Sequence, residues 1–102
     1  MARAVRKKLI AIVEVAHLNR LLELLTQAGV TGFTVVDARA GRGLEGEWDR
    51  ADFNDATQKK LVHAITNAAT AERVFEAAEP FFDRYPGIIY GQDVEVLRPE
   101  RF

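Results

Sequence analysis

Hydrophobic and polar positions alternate between two periods along the chain, and the switches between them outline the elements. Leu9 to Val13 is an unbroken apolar run rich in β-branched residues, which predicts a strand. Leu18, Leu21, Leu22 and Leu25 then fall at i, i+3, i+4 and i+7, one face of a helix, and Gly29 follows as its stop. Phe33-Thr34-Val35-Val36 predicts a second strand. The same order recurs in the second half. Lys59-Lys60-Leu61-Val62-His63-Ala64-Ile65 repeats the character of Lys7-Lys8-Leu9-Ile10-Ala11-Ile12-Val13. Val74, Ala78, Phe81 and Tyr85 form a helical stripe with Phe75 and Phe82 beside it, and Thr70 is placed to cap that helix. Pro80 lies inside the stripe and is expected to kink or split it. Ile88-Ile89-Tyr90 and Val94-Glu95-Val96-Leu97 predict strand segments, with a bulge or turn at Gly91-Gln92.

The order β-α-β, long connection, β-α-β predicts one α+β domain over residues 1–102. It is a ferredoxin-like βαββαβ fold with a four-stranded antiparallel sheet and two helices on one face. The runs 9–13 and 61–65 are apolar on both alternating sets, whereas a sheet with one bare face should alternate. Two helices cover one face only. The other face therefore calls for a second copy of the chain, and a homo-oligomer is expected.

Composition narrows the chemistry. The net charge is −1, so no overall basic field for nucleic acid exists. Cysteine is absent, which removes disulfides and thiolate chemistry. Serine is absent as well, which removes a Ser nucleophile. His17 and His63 are the two imidazoles. His63, inside an apolar strand, reads as a core or interface histidine. No apolar run is long enough to cross a membrane as a helix, and the cytoplasm is the expected compartment.

The connection from Ala38 to Thr57 carries neither period, and loops beyond ~12–15 residues are usually functional or disordered. It begins with Gly41-Arg42-Gly43 and carries Trp48, Phe53 and the acidic residues Glu45, Glu47, Asp49, Asp52 and Asp55. Glycines allow a backbone to approach an anion closely, and an arginine can fork onto phosphate oxygens. The acidic set lacks the spacing of a calcium loop and reads as solvated.

Gly29-Val30-Thr31-Gly32-Phe33-Thr34-Val35 followed by Gly41-Arg42-Gly43 resembles the second strand and loop base of PII signalling proteins. Tyr85-Pro86-Gly87-Ile88-Ile89-Tyr90 is similar to a turn of the PII-like proteins linked to bicarbonate transport and carboxysomes. The resemblance implies a homotrimer, an adenine nucleotide in the cleft between subunits, and a T-loop, here about 39–57, that docks on a transporter or enzyme. It implies nucleotide contacts from Gly32 and Thr34 near base and ribose, and from Gly41, Arg42 and Gly43 at the phosphates. Gly87 would stand in the second phosphate loop, and Arg98 and Arg101 would be C-terminal contacts. The turn Pro86-Gly87 lacks the lysine of the nitrogen sensors, and fewer phosphate donors favour ADP or AMP over Mg-ATP; the loop has no tyrosine or serine, so the family's usual modification sites are missing. Bicarbonate is the co-ligand implied by the subgroup, and no metal site is expected.

Two other classes compete with this regulatory module. A small ferredoxin-like enzyme would use His63 or His17 as base, and a ligand-free interaction module would use the loop alone. The missing Ser and Cys weigh against the first, and the loop-base glycines against the second.

Overall fold

The computed structural model describes residues 2–43, 46–49 and 58–102, with side chains described over 2–43 and 58–102. In chain order the elements are β1 (Arg3–Glu14), α1 (Leu18–Ala28), β2 (Phe33–Asp37), β3 (Ala40–Gly43), β4 (Gly46–Asp49), β5 (Lys59–Thr66), α2 (Ala68–Arg84) and β6 (Gly87–Leu97). Short 3₁₀ turns follow β1 at Val15–His17 and β6 at Pro99–Arg101. The main sheet has the order β2-β5-β1-β6, all neighbours antiparallel, with β1 and β5 inside. This is the ferredoxin-like split βαβ arrangement with both helices on one face.

Pleating divides β1 into two rows. Leu9, Ala11 and Val13 face the helices and join Val62 and Ala64 of β5, Leu21 and Leu25 of α1, and Val74 and Phe81 of α2 in one buried cluster. The leucine stripe thus does what its spacing predicts: Leu21 and Leu25 are fully covered, and Gly29 closes α1 with φ at 109°. Its N–H donates to the carbonyls of Leu25 and Thr26.

The other row of β1, with Ile10 and Ile12, lies on the face away from the helices. Register places Ile10 opposite His63 and Tyr90, and Ile12 opposite Leu61 and Ile88. On the outer strands of this face Val36, Ile88 and Tyr90 are 42%, 54% and 43% exposed. The two-sided apolar pattern is therefore real, and among the described residues no further layer covers the second side, although Ile10 at its centre is already buried.

Four details differ from the sequence expectation. Asn67, not Thr70, caps α2: its Oδ1 accepts the Thr70 N–H at 2.8 Å, because the helix begins three residues earlier than the polar residue nearest the stripe. Pro80 does not split α2, which runs unbroken to Arg84. Pro80 and Glu76 both lie on the exposed side, where water can serve the carbonyl that proline leaves unpaired. Gly91 makes no bulge or turn, since β6 keeps one register against β1 from Gly87 to Leu97. Glycine is there for space: a Cβ at 91 would meet Leu9 Cδ2 at 3.0 Å and Phe75 Cζ at 3.2 Å. Finally, the long connection is not wholly irregular, because β3 and β4 form an antiparallel pair with Arg42 opposite Glu47. Leu44, Glu45 and residues 50–57 lie outside the described residues.

The cap generates a prediction. Asn67→Ala should lower unfolding free energy by about 0.5–2 kcal/mol, measured by chemical denaturation, by leaving the Thr70 N–H without its acceptor.

Candidate functional site

The loop leaves the sheet at Asp37 and returns at Lys59, and its two stems are pinned together. Asp37 pairs with Lys60 across the β2–β5 ladder. The Ala38 N–H donates to the Lys59 carbonyl at 3.2 Å, and the Val15 N–H donates to the Gln58 carbonyl at 2.8 Å. Lys59 Nζ lies 3.4 Å from Glu14 Oε2, and both side chains are largely buried, at 15% and 12% exposure. A pair so shielded from water is screened less than a surface pair. The end of β1 thus holds the returning stem, and the returning stem in turn holds the outgoing one.

The glycine-flanked arginine sits just beyond these pins. Gly41, Arg42 and Gly43 belong to β3, with Arg42 exposed and nothing within 4 Å of where a Cβ on Gly43 would lie. The backbone here is open to close approach by a ligand.

At the same end of the sheet but on its opposite edge, the α2–β6 turn packs against the start of α1. The Tyr85 ring stacks on His17 with centroids 4.1 Å apart, and the guanidinium carbons of Arg84 and Arg20 lie 5.3 and 5.6 Å from the Tyr85 centroid. His17 Nδ1 is buried with no hydrogen-bond partner among the described residues. Gly87 opens β6 with φ at 134°, and a Cβ there would fall 2.2 Å from the Ile12 carbonyl oxygen. No other residue fits, so this turn's backbone lies tight against β1.

The remaining candidates lie elsewhere. Thr34 is exposed on the uncovered sheet face, in a row with His63, Ile10 and Tyr90. Gly32 stands in the α1–β2 turn with open space around it. Beside it, Thr31 Oγ1 donates to the Arg101 carbonyl at 3.1 Å, which draws the C-terminal turn under the sheet. Arg6 holds that turn from the other side, donating to the carbonyls of Pro99 at 3.0 Å and Phe102 at 3.3 Å. Arg98 and Arg101 have exposed side chains with no carboxylate partner among the described residues.

One chain therefore brings Gly32 beside Arg101, sets Thr34 on the edge strand β2, and places Gly41, Arg42 and Gly43 in the hairpin strand β3 beyond the end of β2. Gly87 is left on the β6 edge. Sequence reasoning misses the His17–Tyr85 stack and the two lysine–carboxylate pins. His17 and Tyr85 are far apart in sequence, and no spacing rule joins them. The side chains of Glu47, Trp48 and Asp49, and all of Glu45, Asp52, Phe53 and Asp55, lie outside the described residues. Among the described residues no cluster of His, Asp or Glu could hold a metal ion, and no helix is long and apolar enough to cross a membrane.

A ferredoxin-like sheet with a pinned loop between its second and third main strands, and a glycine-opened turn before its last, defines a class. Over residues 6–101 the sequence matches the family model for nitrogen regulatory protein P-II. The chain belongs to the P-II family. Among solved structures it is similar to CPII, a nitrogen regulatory PII-like protein from Thiomonas intermedia, in complex with ADP, AMP and bicarbonate. Identity is 30% over 99% of this chain and 96% of that one, with a TM-score of 0.90. A PII-like signalling protein from Thermus thermophilus is 25% identical over 100% and 99% of the two chains, with a TM-score of 0.86. GlnK from B. subtilis, in complex with ATP, shares the fold at 16% identity and a TM-score of 0.65, each chain 96% covered. A search of the curated proteins finds no match.

The tight turn can be tested directly. Gly87→Ala should cost at least about 2 kcal/mol of stability, because it adds strain at positive φ to a collision with a backbone oxygen. Thermal unfolding should show this as a clear fall in Tm.

Proposed function

We propose that this protein is a homotrimeric PII-like regulator, not an enzyme, that binds ADP or AMP in the clefts between its subunits. It takes bicarbonate as co-ligand and signals through its T-loop, about residues 39–57, to a transporter or enzyme of inorganic carbon metabolism in the cytoplasm. One observation carries the reading: nearly the whole chain matches a PII-like protein whose structure holds ADP, AMP and bicarbonate. The geometry agrees with it. Thr34 lies on the edge strand β2, with Gly41, Arg42 and Gly43 following it in the loop, while Gly87 opens the opposite edge strand β6. A ligand touched by both groups needs two copies of the chain side by side. The uncovered apolar face supplies the reason for copies to associate, since burying apolar surface contributes ~25 cal/mol per Å².

In this reading Gly41 and Gly43 let the loop base close on the phosphates and Arg42 forks onto their oxygens, while Gly87 brings the second backbone loop near. Gly32 and Thr34 border the nucleoside, and Arg98 and Arg101 reach a neighbour's phosphates. The pins at Asp37–Lys60 and Glu14–Lys59 hold the stems, so a change at the loop base is passed outward along the loop instead of into the sheet.

Two measurements test this. Light scattering at micromolar concentration should give the mass of a trimer, and a monomer would refute the assembly. Calorimetric titration should show ADP and AMP binding, with bicarbonate changing the affinity. Arg42→Ala should weaken ADP binding about ten- to a hundredfold, since a hydrogen bond to a charged group contributes about 1.5–3 kcal/mol. Adenosine, which lacks phosphate, should lose much less. Unchanged ADP affinity in the variant would remove Arg42 from the phosphate site.

A further inference from the structure

The uncovered sheet face is apolar except at a few positions, and one of these is central. His63 sits mid-strand in β5, on an inner strand, with Ile10 of β1 and Thr34 of β2 directly opposite it on either side. Leu61 and Ile65 flank it on its own strand's side of the sheet. It is half-buried already, and among the described residues its ring has no hydrogen-bond or ion-pair partner.

The charged and titratable groups on this face are few. β1 contributes Arg6, Lys8 and Glu14. Arg6 is engaged with the C-terminal turn, and Glu14 pairs with Lys59 at the far end of the sheet. Lys8, one row from His63, sits opposite Ile65 and Gln92 and has no carboxylate partner among the described residues. β6 contributes the Tyr90 phenol, across Ile10 from His63. β2 contributes only Thr34 and Val36, because Asp37 is turned to the other face with Lys60. Among the described residues no carboxylate on this face is therefore placed to receive a charged imidazole, and the nearest charge is a lysine of the same sign.

We propose that His63 makes the self-association of this protein pH-dependent: the neutral ring is buried when copies join through this face, and its protonation drives them apart. The proposal rests on the assembly put forward above. Burying a neutral imidazole among Ile, Leu and Val is tolerable, whereas burying the cation without a partner is costly. The sign follows from linkage. The assembled state disfavours the charged ring, so association is complete at higher pH and weakens as pH falls.

The test measures mass by light scattering across a concentration series at about pH 7.5 and about pH 5.5. The wild type is compared with His63→Leu, and circular dichroism confirms that each chain is folded at both pH values. For the wild type, the concentration of half-assembly should rise at least about tenfold at the lower pH, since each pH unit withheld from a group costs about a factor of ten. His63→Leu should stay assembled at both. If His63→Leu fails to fold, His63→Gln, which is neutral at both pH values, takes its place. A wild type equally assembled at both pH values overturns the proposal, as does a His63 variant that dissociates at low pH like the wild type. A wild type that is monomeric already at the higher pH instead overturns the assembly reading itself.

Discussion

β1 is flanked by hydrogen-bonded neighbours on both sides, and each of its two side-chain rows carries large apolar residues. That double demand organises the molecule. Leu9, Ala11 and Val13 fix the side on which α1 and α2 must lie, and those helices then complete a core that includes Leu21, Leu25, Val74 and Phe81. Ile10 and Ile12 make the same demand on the other side, where the chain has no third layer to offer. A one-residue slip of β1 would exchange the rows without relieving either, so register here is set by size and shape as much as by polarity. The steady pairing of β1 with β6, with Leu9 seated in the space left by Gly91, shows how that selection works.

The loop and the site are attached to the same strand. Where β1 ends, Glu14 takes Lys59, Val15 takes the Gln58 carbonyl, and Ile12 presents its carbonyl to Gly87. Rigid sheet, loop stems and glycine turn therefore meet within a few residues of one another. Firm stems keep motion in the loop from being lost as fraying of the sheet edge. The ladder bond from Ala38 and the Asp37–Lys60 pair stop such fraying.

Features that repeat along the chain with a fixed period are legible in the sequence, and those decided by what lies across from a residue are not. The helix stripes, the glycine after α1 and the two-sided strands all announce themselves locally. Asn67 and Thr70 are both good caps, and only the helix start distinguishes them. Gly91 resembles a break because glycine is usually a matter of backbone freedom, whereas here a phenylalanine and a leucine need the room. The hairpin of β3 and β4 is built from Ala-Gly-Arg-Gly and Gly-Glu-Trp-Asp, which have no strand period, so pairing of backbone to backbone defines it. Of the site, the glycines and Arg42 are legible as residue types. The His17–Tyr85 stack is not, because it is made by the fold.

The C-terminal turn is held by carbonyls alone. Arg6 grips those of Pro99 and Phe102, and Thr31 grips that of Arg101. Every grip is on the main chain, which all amino acids share. The side chains of Arg98 and Arg101 make none of these anchoring bonds, although the left-handed backbone at Arg98, with φ at 59°, limits what can replace it. Anchorage is thereby written on main-chain atoms, and the two guanidinium groups are left out of it.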